Sequence, residues 1–172
     1  MMFTTHAMAG AAIGILSGNP ILGFGLGVLS HHALDALPHF DVGSLYLEKG
    51  KGPSWAGVKY EEKSKFKVRR DWIMLFVDVL ICGIIFLYLL FRLPINYWPL
   101  LIIGALGGLL TDIFDVSPFW KDKFRNTRLG KVWHKWHYLL HWPLPWRMWH
   151  IGIGIQVVVI AVSLFLIRKF LI

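Results

Sequence analysis

The chain has 172 residues, of which 56% are hydrophobic and 16% are charged, and its formal net charge is +8. A soluble domain carries about 25% charged residues and a smaller apolar share, so this composition indicates an integral membrane protein. The single cysteine, Cys82, excludes a disulfide framework and a thiolate metal site. Any metal ion would therefore need histidine and carboxylate ligands.

The first 41 residues predict two short helices that form a hairpin. The first helix begins with Thr4 or Thr5 as its N-cap and ends near Leu16, and the second covers Ile21–Leu37. Pro38 ends the second helix, because its ring clashes with the preceding turn. No Lys or Arg precedes the first apolar run, so we expect this segment to remain in the mature protein and not to be a cleaved signal peptide.

Longer apolar segments follow the hairpin and are long enough to cross a hydrocarbon core of about 30 Å. The sequence predicts one all-α integral membrane domain of about five helices, which are two hairpins and a C-terminal span, with an interfacial helix in the second loop. The predicted parts of this single domain, 1–172, are the first hairpin 1–41, a basic loop 42–70, the second hairpin 71–118, a basic loop 119–148 rich in tryptophan, and the last span 149–172.

Positive charge is concentrated in the two long loops. They hold all but three of the eighteen lysines and arginines, the exceptions being Arg92, Arg168 and Lys169. With five spanning helices, or with a first hairpin that dips into the membrane and returns, both loops lie on one face, which the positive-inside rule makes cytoplasmic. Arg168 and Lys169, near the C-terminus, count mildly against this orientation. We expect an inner-membrane protein whose basic loops attract anionic lipid headgroups and not nucleic acid.

The stretch SHHALDALPHFD, residues 30–41, concentrates polar groups at the end of the second helix. His31 and Asp35 share one helix face by their i, i+4 spacing, and His39 and Asp41 follow Pro38. Nitrogen and carboxylate groups would then converge on one point, although a polar helix end in contact with water is the simpler alternative. His32 lies about 100° round the helix from His31, so it is either a partner of a ligand or faces lipid headgroups.

A second group of histidines lies in the second loop. His134, His137 and His141 follow one another at i, i+3 and i+7, which places them within about 60° of arc on a helix. The alternative is an interfacial helix that uses histidine as an ordinary polar residue. Asp112 and Asp115 close the fourth helix, and acids buried near a membrane face tend to be paired or functional. All these groups, with His6, are predicted to meet at one membrane face.

A site of histidine and aspartate without cysteine favours Zn²⁺, although Mn²⁺ and Fe²⁺ accept the same ligands. The number of these groups exceeds what one ion needs, so either one or two ions are predicted. Two ions a few Å apart suit the hydrolysis of a phosphoester.

Several motifs resemble the bacterial membrane-bound metal-dependent hydrolase family, which is distantly similar to zinc-dependent phospholipase C. They are TTHAMAGAA and GVLSHHALDALPHFD in the first part, and LLTDIFD and HKWHYLLH in the second. The resemblance covers residues 4–41 and, more weakly, 104–141. It implies a ligand set made up of His6, His31, Asp35, His39, Asp41, Asp112, His137 and His141. Asp115 and His134 are added to this set from their positions alone.

The sequence therefore predicts a membrane-embedded hydrolase that cleaves a phosphoester, with a phospholipid-like substrate and with Asp35 and His137 as catalytic residues. The alternative is a protein that binds a metal for structure, or moves it across the membrane, without catalysis. A transporter is expected to place acids near mid-membrane, where Asp78 is the only one predicted. An iron-dependent desaturase is disfavoured, because HxxHxxxH occurs once and HxxHH is absent.

Overall fold

The computed structural model describes residues 1–41, 44, 69–117 and 119–171. Over these residues the protein is all-α, as predicted. A π-helical turn, Asp112–Val116, continues α4, and short 3₁₀ turns precede α4 and flank α7. The seven α-helices in this part of the chain are α1 Phe3–Ser17, α2 Pro20–Asp35, α3 Arg69–Arg92, α4 Trp98–Thr111, α5 Lys121–Arg125, α6 Arg128–Leu140 and α7 Trp149–Ile167.

The helix count differs from the prediction of five helices and one interfacial helix. The second loop folds into two helices, α5 and α6, because Asn126 and Thr127 interrupt it and the Thr127 hydroxyl caps α6 by accepting a bond from the Gly130 N–H. The predicted basic loop 42–70 lies outside the described residues apart from Ser44 and the first residues of α3, and so does Pro118.

Three helical segments are long and apolar enough to cross a membrane: Asp71–Arg92, Ile95–Val116 and Trp146–Phe170. Their outward side chains are apolar, as in Phe76 and Phe91 of α3, which are 68% and 83% exposed. Such a surface is stable only in a hydrocarbon environment, so the protein is a membrane protein. α1 and α2 are shorter, with 15 and 16 residues.

α1 is the central helix, and it packs against α2, α3, α4 and α7. Glycines allow α1, α2 and α4 to touch through their backbones. A Cβ atom at Gly10 or Gly104 would collide with the backbone of the other, and a Cβ atom at Gly27 would lie 2.7 Å from the Gly104 carbonyl oxygen. Close backbone contact through small residues is typical of helix association in lipid.

Neither Thr4 nor Thr5 caps α1, which corrects the prediction. The N-cap is Met2, and it makes no side-chain capping bond. The capping carboxylate comes instead from Asp78 in α3, whose Oδ2 accepts the Phe3 N–H at 2.6 Å and whose Oδ1 accepts the Thr4 N–H at 3.3 Å. A cap donated by another helix cannot be found from local sequence.

α2 begins and ends close to the predicted residues. Asn19 is its N-cap, since its side-chain oxygen accepts the N–H groups of Ile21 and Leu22. The helix ends at Asp35, two residues before the predicted end. Pro38 disfavours helical geometry in the residue before it, which explains the earlier end.

Candidate metal centre

Four segments meet at one end of the bundle and bring the predicted polar groups together. They are the start of α1, the end of α2 with the residues after it, the end of α4, and α6 with the residues after it. The side chains in this region are His6, His31, Asp35, His39, Asp41, Asp112, Asp115, His134, His137 and His141. The predicted convergence at one end of the helices is therefore present in the structure.

Asp35, the last residue of α2, lies at the middle of this group and is 1% exposed. Its Oδ1 atom is 3.2 Å from His6 Nε2 and 3.8 Å from His39 Nε2. Its Oδ2 atom is 3.3 Å from His31 Nε2 and 3.0 Å from His137 Nε2. The Met1 amine also contacts Oδ1. A buried carboxylate at a helix C-terminus is costly unless cationic groups surround it.

Backbone carbonyls fix the orientation of two of these imidazoles. His31 Nδ1 lies 2.8 Å from the Gly108 carbonyl, and His39 Nδ1 lies 2.8 Å from the Leu37 carbonyl. A carbonyl only accepts hydrogen bonds, so Nδ1 carries the proton in both rings. The Nε2 atom of each ring then faces Asp35, the direction in which a metal-ligating histidine presents its second nitrogen.

His137 is held between two carboxylates. Its Nδ1 donates to Asp115 Oδ2 at 2.7 Å, and its Nε2 lies 3.0 Å from Asp35 Oδ2. Burial acts to lower the pKa of His137, but its hydrogen bonds to Asp115 and Asp35 outweigh burial and raise the pKa to about 9. A proton therefore occupies Nε2 in this arrangement, at a position where a cation bound between His137 and Asp35 would replace it.

Asp115 lies behind His137 and outside the metal-sized groups found among the described residues. The side chain of Arg125 on α5 donates from Nε to Asp115 Oδ1 at 2.8 Å and from Nη2 to the Asp115 carbonyl at 2.7 Å. His134 Nδ1 lies 2.9 Å from Asp115 Oδ2. The structure thus places Asp115 and His134 where they orient His137, and their prediction as ligands stays a prediction.

His141 does not continue the predicted stripe of His134 and His137. α6 ends at Leu140, and His141 has extended backbone angles, φ −78° and ψ 125°. The change of backbone direction turns its ring toward the first motif, so that Nε2 lies 3.1 Å from His39 Nε2 and 3.1 Å from Asp41 Oδ2. The stripe was predicted from helical spacing, which no longer holds beyond Leu140.

Burial lowers the pKa of His141 to about 3, so this imidazole is neutral. Burial acts to raise the pKa of Asp41, but hydrogen bonds from His141 and His39 outweigh it and hold this pKa well below its usual range. A neutral imidazole and an ionised carboxylate are the forms in which these groups bind metals. Ser44 also holds Asp41, since its N–H donates to Oδ1 at 2.8 Å.

Three groups of side chains among the described residues have ligand atoms within 4.8 Å of one another: His31, Asp35 and His137; Asp35, His39 and His141; and His6, His31 and Asp112. In this part of the chain His6 Nδ1 is buried without a hydrogen-bond partner, and the Nε2 atoms of His6 and His31 contact the Asp35 carboxylate without the geometry of a hydrogen bond. Buried polar atoms are rarely left unpaired, so the donor set fits a cation such as Zn²⁺.

The two histidine motifs are also joined through their backbones. The Trp142 N–H donates to the Asp35 carbonyl at 2.9 Å, the His39 N–H to the Trp142 carbonyl at 3.2 Å, and the Leu144 N–H to the His39 carbonyl at 2.7 Å. These bonds hold the segment after α2 beside the segment after α6. The positions of the candidate ligands are therefore set by backbone pairing as well as by the side chains.

No protein-family model, curated protein or solved structure matches this chain. The resemblance of its motifs to the membrane-bound metal-dependent hydrolases therefore stays a hypothesis.

Arg125 and Gln156 are among the residues of this region that were not predicted. Arg125 orients Asp115 as described above. Gln156, in the last span, is 3% exposed, accepts the Met2 N–H at Oε1 at 2.7 Å, and donates from Nε2 to the Phe40 carbonyl at 2.8 Å. Gln156 could have been found from the sequence, because a lone glutamine in an apolar span indicates a buried polar contact. His150, expected to be interfacial, is exposed at the start of α7.

Proposed function

We propose that this protein is a membrane-embedded, metal-dependent hydrolase that cleaves a phosphoester in a lipid-like substrate. The observation that carries the proposal is that Asp35 belongs to two of the three metal-sized groups. His31 and His137 lie at its Oδ2 atom, and His39 lies nearer its Oδ1 atom. One carboxylate with histidines at both oxygens is suited to bridging two cations.

Divalent cations held in this way would supply a water of lowered pKa and positive charge for the phosphorus centre. Asp35 and His137 share one metal-sized group, and the 3.0 Å between Asp35 Oδ2 and His137 Nε2 is the shortest of the histidine contacts of Asp35 described above, which supports their assignment as catalytic. Asp115 and Arg125 act through His137 and hold its ring in place. Zn²⁺ is the ion that this set of imidazoles and carboxylates favours.

The surface beside the centre supports a lipid-like substrate. On the outer face of α6, Leu129, Val132 and Trp136 are 66%, 56% and 58% exposed. Lys131 and Lys135 are exposed on the neighbouring face. A helix with an apolar face and a basic face lies in the headgroup region of a bilayer and prefers anionic lipids. The centre would then open at the cytoplasmic surface of the inner membrane.

A non-catalytic metal site is the second candidate, and one observation favours it. His6, His31, Asp35 and His39 are each at most 1% exposed, and closed sites are typical of structural metals. Transport has less support, because Asp78, the acid predicted at mid-membrane, caps α1. Activity measurements separate the first two candidates.

Metal analysis of the detergent-purified protein tests the centre. We expect tightly bound transition metal in the wild type. Asp35→Asn should lose the metal of the two groups that share Asp35, whereas His137→Ala and His141→Ala should each affect only one of these two groups. Asp122→Asn, an exposed acid on α5, is the matched control and should keep the wild-type content. A wild type without bound metal would refute the centre.

Turnover of a generic phosphodiester and of phospholipids, with and without chelator, then tests the reaction. We expect hydrolysis that the chelator abolishes and that added Zn²⁺ restores. Bound metal without turnover of any ester would favour the non-catalytic candidate.

A further inference from the structure

Two unpaired polar atoms lie beside the metal centre on helices that face each other. His32 Nδ1 on α2 and Trp133 Nε1 on α6 are buried and have no hydrogen-bond partner within the described ranges. The centroids of their rings are 5.7 Å apart. Since buried polar atoms are nearly always paired, two such atoms in one contact indicate that a polar partner is missing.

This pair borders the predicted ligands. The His32 ring lies 5.5 Å from the His31 ring and 6.2 Å from the His137 ring, measured between centroids. His31 is fully buried, whereas His32 and Trp133 are partly exposed. The pair therefore lies between the ligand histidines and the protein surface, next to the position of a bound metal.

The chemistry of the two atoms selects the group that they would bind. An indole N–H only donates, so its partner must be an acceptor. His32 Nδ1 also donates in one of its two neutral tautomers. Two donors beside a cation site suit an oxyanion, because hydrogen bonds to charged oxygen are the strong ones.

We propose that His32 and Trp133 form an oxyanion subsite that holds a phosphate oxygen next to the metal centre. The inference deepens the proposed function and rests on it for the identity of the oxyanion. It also resolves the two roles left open for His32, since the ring contacts ligand histidines on one side and a substrate oxygen on the other.

Phosphate binding tests the subsite. Trp133→Phe keeps an aromatic ring against His32 and removes only the N–H donor. Calorimetry of the purified full-length chain with inorganic phosphate should show an affinity about tenfold lower for this variant than for the wild type, the effect of one hydrogen bond to a charged group. Its metal content should equal that of the wild type.

Trp136→Phe is the matched control, because Trp136 is on the same helix and is 58% exposed. It should bind phosphate as the wild type does. His32→Phe, which also keeps a ring, should weaken binding as Trp133→Phe does. Equal affinity of Trp133→Phe and wild type, or no phosphate binding by the wild type, would overturn the subsite.

The test of the oxyanion subsite and the test of the hydrolase can fail independently of each other. Phosphate binding that depends on Trp133, without turnover of any phosphoester, would overturn the hydrolase and keep the subsite. Competition then identifies the source of the phosphate. Stronger displacement by a short-chain phosphatidylglycerol than by glycerol phosphate assigns the subsite to a lipid headgroup, and equal displacement assigns it to soluble phosphoesters. Displacement by neither would overturn the proposal.

Discussion

Asp115 accepts a hydrogen bond from His137 Nδ1 at 2.7 Å and another from Arg125 Nε at 2.8 Å. Asp115→Asn should weaken metal binding by about 10- to 100-fold, because partners that orient a ligand contribute that much to metal affinity. Titration with a competing chelator measures the change. Asp122→Asn, an exposed acid of the second loop, should leave the affinity unchanged. An affinity of Asp115→Asn equal to that of the wild type would show that the Asp115 carboxylate does not support His137.

Spacing in the sequence predicts proximity only where the helix is regular. His31 and Asp35 lie 3.3 Å apart as their i, i+4 spacing indicates, because α2 is regular up to Asp35. The position of His141 could not be predicted in this way, because α6 ends before it. The position of Asp115 could not be predicted either, because it lies in a π-helical turn.

Long-range partners have weaker signals in the sequence. Arg125 looks like any other cation of a basic loop, although it bonds to Asp115. The pairing of the segment after α2 with the segment after α6 uses backbone groups, which every residue has. No residue pattern could have indicated it. The class of the fold, in contrast, follows from composition and from the lengths of the apolar segments.

At the scale of the helices, Asp78 connects α3 to the start of α1. Asp78→Ala should lower the stability by about 1–2 kcal/mol, as the loss of an N-cap does. Asp78→Asn should cost less, because the amide oxygen still accepts one of the two N–H groups of Phe3 and Thr4. Thermal unfolding in detergent measures both.

Asp78→Ala and Asp78→Asn also test whether Asp78 caps α1 or binds an ion. Both should keep the wild-type metal content, since Asp78 is in none of the metal-sized groups among the described residues. Loss of metal from a folded Asp78→Asn protein would contradict its role as a cap and favour transport.

Close packing of α2 on α4 gives a second prediction at this scale. Gly27→Ala places a Cβ atom 2.7 Å from the Gly104 carbonyl oxygen and 3.0 Å from the Gly108 nitrogen. Backbone atoms cannot move aside cheaply, so we expect a loss of about 1–3 kcal/mol in stability. The melting temperature in detergent measures the change.

Gly25→Ala is the matched control, two residues away on the same helix. A Cβ atom there meets nothing within 4 Å. Alanine is the better helix former, so this variant should gain about 0.5–1 kcal/mol. Equal melting temperatures for the two variants would show that α2 does not touch α4 through its backbone.

At the scale of the whole molecule, the candidate metal centre and the second loop lie at one end of the bundle, and the turn between α3 and α4 lies at the other. Asn126→Cys and Asn96→Cys, both at exposed positions, mark these two ends in a Cys82→Ala background. If the positive-inside orientation holds, an impermeant maleimide should label Cys at 126 only in inverted inner-membrane vesicles and Cys at 96 only in right-side-out vesicles. The reverse pattern would place the metal centre outside the cytoplasm.

The π-helical turn Asp112–Val116 lets one helix meet two requirements. Such a turn holds one residue more than an α-helix would, which is equivalent to a single insertion. Before this turn, the glycines of α4 face α1 and α2 and allow the helices to pack closely. Within the turn, Asp115 faces His137. Deleting one residue within the turn would restore an α-helical turn and leave the glycine register intact, so it would alter only the segment that carries Asp115. The packing of the bundle and the candidate metal centre can therefore change independently of each other.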